Sequence, residues 1–125
     1  MQAMSLMLVS DYGQIHQKKI DTSTCSVFLP KTVDDIEKVS SLVSHASTLT
    51  LSGGAHTFNG SSLPDPNSLH LDFSEFRWLR FIDNDHVEVS AGTTVWDLRD
   101  FLSNRGYALK VWNGGSSGPT IGGYV

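Results

Sequence analysis

Two segments of this chain, Leu51–Gly60 (LSGGAHTFNG) and Val111–Val125 (VWNGGSSGPTIGGYV), contain no charged residue and hold eight of its 11 glycines. Glycine lacks a Cβ, so consecutive glycines let the backbone turn sharply and aim several N–H groups at one point. Both segments read as loops that follow strand-like sequence. Each leaves two readings open: a surface turn, or a cradle of backbone amides for a phosphate. In the first loop Ser52, Thr57 and Asn59 add neutral hydrogen-bonding groups, so no lysine or arginine is needed. Two such loops in one small domain favour the cradle.

The intervening sequence supplies regular elements to carry the loops. CSVFLP is a short β-rich run that has to stop at Pro30, which lacks a ladder donor. Thr32 with Asp35 forms a capping pattern, and Val33, Ile36, Val39, Leu42 and Val43 recur at helical spacing opposite Asp34, Glu37 and Lys38. TLTLS, from Thr48 to Ser52, alternates as a strand. The resulting strand–helix–strand unit predicts a parallel pair joined by a crossover. SLHLDF, RWLRFID and HVEVSAG then show period two around turn residues such as Asp83, Asn84 and Asp85, and predict a small mixed or antiparallel sheet. Thr94 with Asp97 repeats the capping pattern, and Val95, Leu98, Phe101 and Leu102 form the stripe of a second helix over residues 95–105, closed by Gly106. The fold class expected is therefore α+β. Residues 1–24 read as an irregular opening and residues 25–125 as the domain.

Charge and cysteine content exclude several functions. With 125 residues and a net charge of -4, the chain is one ordinary domain whose surface is not built to collect nucleic acid or anionic lipid. Cys25 stands alone, no Cys/His spacing suggests a metal site, and no 18 apolar residues run together as a transmembrane segment would. MQAMSLMLVS lacks the basic start and cleavage site of a signal peptide, so a reducing, cytoplasmic setting is expected. Neither loop is followed by the lysine of a P-loop, and no GxGxxG opens a helix.

The order VFLPKTVDDIEKV, LTLSGGAHTFNGSS, LHLDFSEFRWLRFID, HVEVSAGTTVWDLRDFLSNRGYAL and GPTIGGYV resembles the N-terminal part of the PCMH-type FAD-binding domain of the vanillyl-alcohol oxidase and p-cresol methylhydroxylase family. The resemblance covers residues 27–125 in the family's own order. LVSDYGQIH is also weakly similar to the opening of the decaprenylphosphoryl-ribose oxidase and sugar or lactone oxidase branches. In that family the first loop, R-G-x-G-H-S, wraps the FAD pyrophosphate, which implies the role for Ser52, Gly53, Gly54, Ala55, His56 and Thr57, with Phe58 and Asn59 beside them. The second loop closes over FAD from the other side, and Gly115, Thr120, Ile121, Gly122 and Gly123 match it. Ser52 departs from the family's arginine, Thr57 from its serine, and Ala55 sets a Cβ where the family's third glycine is free to take a positive φ.

His56 matches the histidine that many members join covalently to the flavin, and the resemblance leaves two roles for it, covalent attachment or a contact only. No cysteine stands at Ser116–Ser117 for a second linkage. His16, His45, His70 and His86 read as structural or solvated. Trp78, Trp96 and Trp112 read as packing residues, Trp112 near the second loop. The activity implied is oxidation of an alcohol, sugar or lactone-type substrate by hydride transfer to FAD, with the substrate bound by a region beyond Val125. The chain then corresponds to a domain truncated on its C-terminal side and inactive alone, with an exposed apolar patch where further chain packs. A non-catalytic α/β nucleotide-binding or protein-interaction module is the alternative.

Overall fold

The computed structural model describes residues 6–10, 17–21, 25–46, 48–57, 61–111 and 118–125. The opening, expected to be irregular, contains two strands, β1 (Leu6–Ser10) and β2 (Gln17–Asp21), paired antiparallel with Leu6 opposite Asp21. A main-chain ladder needs no alternating side chains, and QKKID offers none to read.

The central sheet comes next. β3 (Ser26–Phe28) ends before the buried Pro30, α1 (Val33–His45) follows, and β4 (Leu49–Ser52) leads into the first glycine loop. The α1 N-terminus is a full capping box: Asp35 N donates to Thr32 Oγ1 at 3.3 Å, and the Asp35 carboxylate accepts from Thr32 N at 3.1 Å. The Lys31 and Thr32 amides hold that carboxyl below its usual range.

The expected partner of β3 was β4, but β5 (Leu69–Asp72) inserts between them, parallel to both, in the order β3–β5–β4. SLHLDF therefore belongs to the parallel sheet and not with the later strands. The register sets Thr50 and Val27 beside His70, and Leu51 and Phe28 beside Leu71. Side chains alternate across a sheet, so Thr50, Ser52, His70 and Asp72 share one face.

No α1 residue is fully buried, and Val33 and Leu42 are 60% and 40% exposed. A helix of 13 residues is about 20 Å long, whereas strands of three or four residues span about 10–13 Å, so this sheet is too short to cover the whole stripe. Val27, Leu49 and Leu51 are also more than two-fifths exposed.

β6 (Leu79–Phe81) and β7 (Val87–Val89) pair antiparallel around a turn in which Asp83 accepts from the Asp85 and His86 amides at 2.8 and 2.9 Å. α2 (Val95–Ser103) is capped by Thr94, which accepts from Asp97 N at 3.1 Å. Its stripe buries as patterned: Val95, Leu98 and Leu102 join Leu63, Leu69, Leu71 and Phe76 in the core, and Phe101 stacks on Phe81 at 5.1 Å. Gly106, at φ +78°, reverses the chain after the helix. Trp96 departs from its expected packing role. It is 41% exposed, with the Arg99 guanidinium 4.1 Å over its ring. One turn, α3 (Ile121–Tyr124), ends the chain. Among the described residues, no helix is long and apolar enough to cross a membrane.

The turn between β7 and α2 is fixed by a buried polar knot. Ser90 Oγ donates to Phe76 O at 2.7 Å, accepts from Trp78 N at 2.8 Å, and lies 2.8 Å from Thr93 Oγ1. Ser90 and Thr93 are 3% and 1% exposed, so water cannot replace these partners. Ser90→Ala is therefore expected to lower the unfolding free energy by about 1–3 kcal/mol in urea denaturation, well above the effect of a surface Ser→Ala.

Candidate functional site

The two glycine loops meet. Gly53 and Gly54 follow the last residue of β4, and their α-carbons abut the second loop so closely that side chains would not fit. A Cβ at Gly53 would overlap the Thr120 hydroxyl, one at Gly54 the Gly118 carbonyl oxygen, and one at Gly118 the His56 Nε2. These glycines thus serve first to bring loop against loop. The His56 imidazole lies in the seam, its Cδ2 edge toward Gly54 and its Nε2 toward Gly118.

The second loop is held from its other side by the turn that enters α2. Val95 N donates to Pro119 O at 3.0 Å, Ile121 N to Thr93 O at 2.8 Å and Gly122 N to Ala91 O at 2.9 Å, and Thr94 bridges Thr120. The Ile121 and Gly122 amides are therefore engaged in holding the loop.

Between the loops opens a cleft of about 260 Å³ lined by Gly54, His56, Thr57, Pro119, Thr120, Gly123 and Tyr124. Of the residues picked from sequence, Gly54, His56, Thr57, Thr120 and Gly123 come together there. Ser52, Gly53, Ala55, Ile121 and Gly122 are not among its described lining residues, and Phe58, Asn59 and Gly115 fall outside the described residues. Pro119 and Tyr124 were not anticipated. None of the described lining residues carries a carboxylate or a fixed cation, so an anionic group placed here meets hydroxyls, an imidazole and backbone from them without like-charge repulsion. Thr57 Oγ1 is itself steadied by Ser62 Oγ at 2.8 Å.

Ala55 takes φ +55°, in the left-handed region that a Cβ disfavours by about 1–2 kcal/mol. The backbone conformation that glycine would take without cost is thus kept with alanine in place.

The Ser52 hydroxyl turns toward the sheet, 2.9 Å from His70 Nε2, while Thr50 Oγ1 lies 2.7 Å from His70 Nδ1. His70 is 5% exposed, and burial pushes its imidazole below its ordinary value against the opposing pull of the Asp72 carboxylate. The sequence marked His70 as structural or solvated, and it is structural, though its partners were not anticipated. The available signal was the matched alternation of Thr50–Leu51–Ser52 and His70–Leu71–Asp72, which sets polar side chains on one face once the strands pair.

A family model described as an FAD binding domain matches residues 26–125. The chain belongs to this family. FAD is accordingly the cofactor of this FAD-binding domain, which is of the PCMH type, and the uncharged cleft between two abutting loops suits an anionic diphosphate. At about 260 Å³ the cleft admits only part of so large a molecule, since pockets enclosing drug-sized ligands run to roughly 300–1,000 Å³.

Two solved structures share the fold. One is GilR in complex with pregilvocarcin, an oxidoreductase that catalyzes the terminal step of gilvocarcin biosynthesis. It is 26% identical with a TM-score of 0.62, over 77% of this chain and 20% of that one. The other is cholesterol oxidase from B. sterolicum, 13% identical with a TM-score of 0.72, over 97% of this chain and 23% of that one. The FAD-binding domain spans 20–23% of the length of these structures. No curated protein matches it in sequence.

Two outcomes follow for stability. Ala55→Gly removes the left-handed strain but loosens the unfolded chain, so a gain of at most about 1 kcal/mol is expected on chemical denaturation, and Ala55→Val should lose at least as much. His70 has a folded pKa below 6.5, its unfolded value. The unfolded state therefore binds the proton first on acidification, and stability, complete above about pH 6.5, falls as the pH drops through 6.5 toward the folded value. Thermal melts across pH 5–8 on the wild type and His70→Gln should show this slope in the wild type and lose part of it in the variant.

Proposed function

We propose that this domain holds the pyrophosphate of FAD in an FAD-dependent oxidoreductase that oxidises an alcohol, sugar or lactone-type substrate. The observation that carries the reading is the closure of two uncharged glycine loops on one cleft within a chain of the FAD-binding domain family. Thr57 offers a hydroxyl to phosphate oxygens, Gly54 and Gly123 let the diphosphate approach the backbone, and Thr120, whose hydroxyl abuts Gly53 and accepts from Gly123 N at 3.4 Å, caps α3 beside them. Gly53, Ile121 and Gly122 hold the loops in position behind them. Ser52, Ala55, Phe58, Asn59 and Gly115 complete the proposed cofactor-binding set.

When bound, FAD supplies a two-electron acceptor for hydride from a carbon bearing oxygen. The domain contributes orientation. His56, wedged between Gly54 and Gly118, is presented at the cleft wall with little freedom to turn away, the arrangement required of a side chain that is to bond to or lie against the flavin. The 26% identity to GilR supports an oxidoreductase as the parent protein. In this reading the substrate is bound by parts of the protein other than these 125 residues, and this domain alone does not turn it over. The vanillyl-alcohol oxidase branch and a cytoplasmic location belong to the same proposal.

The test is the fate of colour on acid precipitation of the full-length protein. Flavin absorbance is expected in the purified protein, and its absence from both pellet and supernatant overturns the reading. Colour that stays in the wild-type pellet and moves to the supernatant in His56→Ala identifies His56 as the point of linkage. Colour in the wild-type supernatant makes His56 a contact only.

A further inference from the structure

Among the described residues β4 is an edge strand of the parallel sheet, with β5 as its strand neighbour. It ends at Ser52, and the next two residues, Gly53 and Gly54, have no side chain. Ser52 is therefore the last side chain that can tie the chain to the sheet before the cleft begins. Two contacts fix it: its carbonyl accepts from Phe73 N at 2.8 Å, and its hydroxyl meets His70 Nε2 at 2.9 Å. The other ring nitrogen of His70 is held by Thr50 at 2.7 Å, which stops the imidazole from rotating.

We propose that His70 is a positioning residue for FAD: through Ser52 it sets the direction in which the chain leaves β4 and hence where Gly54, His56 and Thr57 stand in the cleft. The chain of contacts runs Thr50–His70–Ser52 and then into the loop. A neutral imidazole suits this role, because one nitrogen donates and the other accepts and both hydroxyls are satisfied at once. The burial that disfavours the imidazolium keeps the ring in that form, and Asp72 is the charged neighbour that acts on it. β3 contributes the apolar Val27 at the same register, and β4 contributes only the two hydroxyls. His70 is not among the described residues that line the cleft, and it is given no part in the chemistry itself. The inference rests on the proposal that the loop leaving β4 holds FAD.

The two ring nitrogens can be separated by substitution. Glutamine carries its amide nitrogen near the place of Nε2 and keeps the link to Ser52, whereas asparagine reaches only the place of Nδ1 and keeps the link to Thr50. FAD affinity would be measured by flavin fluorescence titration of the full-length protein, in a His56→Ala background so that exchange is reversible, alongside thermal melts. Loss of the Ser52 link in His70→Asn or Ser52→Ala should weaken FAD binding about tenfold, the equivalent of one hydrogen bond, while His70→Gln recovers affinity to within about threefold and Thr50→Val stays within about twofold. All four should melt lower than the parent. Equal weakening in His70→Asn and His70→Gln, or affinities that simply follow the melting temperatures, would overturn the role of His70. Gly54→Val, whose side chain collides with the Gly118 carbonyl, separates the two failures. If it binds FAD normally, the loop reading falls and this proposal with it. If it abolishes binding while Asn and Gln agree, only the part given to His70 falls.

Discussion

Residues 118–123 sit between two partners, the loop leaving β4 and the turn entering α2, and each partner takes different atoms. The turn takes the backbone, through the Ile121 and Gly122 amides and the Pro119 carbonyl. The β4 loop takes van der Waals space, through Gly53 and Gly54 against Thr120 and Gly118. Neither contact would form without the other elements in place: the turn depends on the buried Ser90–Thr93 knot, and the β4 loop depends on the sheet. The cleft is the gap left where these surfaces fail to meet. Its shape is set by backbone packing, and side chains only finish it.

The same logic explains the polar face of the parallel sheet. A buried hydroxyl–imidazole–hydroxyl row contributes less to stability than an apolar one of equal volume, because each hydrogen bond mostly replaces one made to water. Its return is in direction. Apolar side chains fill space without fixing an angle, whereas three polar groups at 2.7 and 2.9 Å fix the end of β4 to a particular orientation.

Local rules were legible from sequence. Both helix starts at Thr32 and Thr94, the Asp83 turn and the α2 stripe are set by neighbours within four residues of one another, and they stand where patterning put them. The two glycine segments were also legible as loops, though the structure gives their glycines a different first use: they admit another loop. What escaped was everything that depends on register between distant segments. Nothing local tells that β5 passes between β3 and β4, and without that pairing His70 is one histidine in a strand. The division of the second loop into cleft-facing Thr120 and Gly123 and anchoring Ile121 and Gly122 is likewise a property of its partner turn. The exposed stripe of α1 follows from strand lengths, which alternation patterns locate poorly. The β1–β2 pair rests on backbone ladders that leave little mark on side-chain choice.

The absence of fixed charge from both glycine loops has a consequence for the conditions under which FAD is retained. Cofactor sites that grip phosphate with lysine or arginine draw part of their affinity from forces that dissolved ions weaken within a Debye length, roughly 8 Å at physiological ionic strength. Here neither loop holds a carboxylate, lysine or arginine and the chain as a whole is acidic, so added salt has little attraction to screen and some long-range repulsion to relieve. FAD held in this way would stay in place, or bind slightly better, in brine that strips an electrostatically gripped nucleotide from its protein.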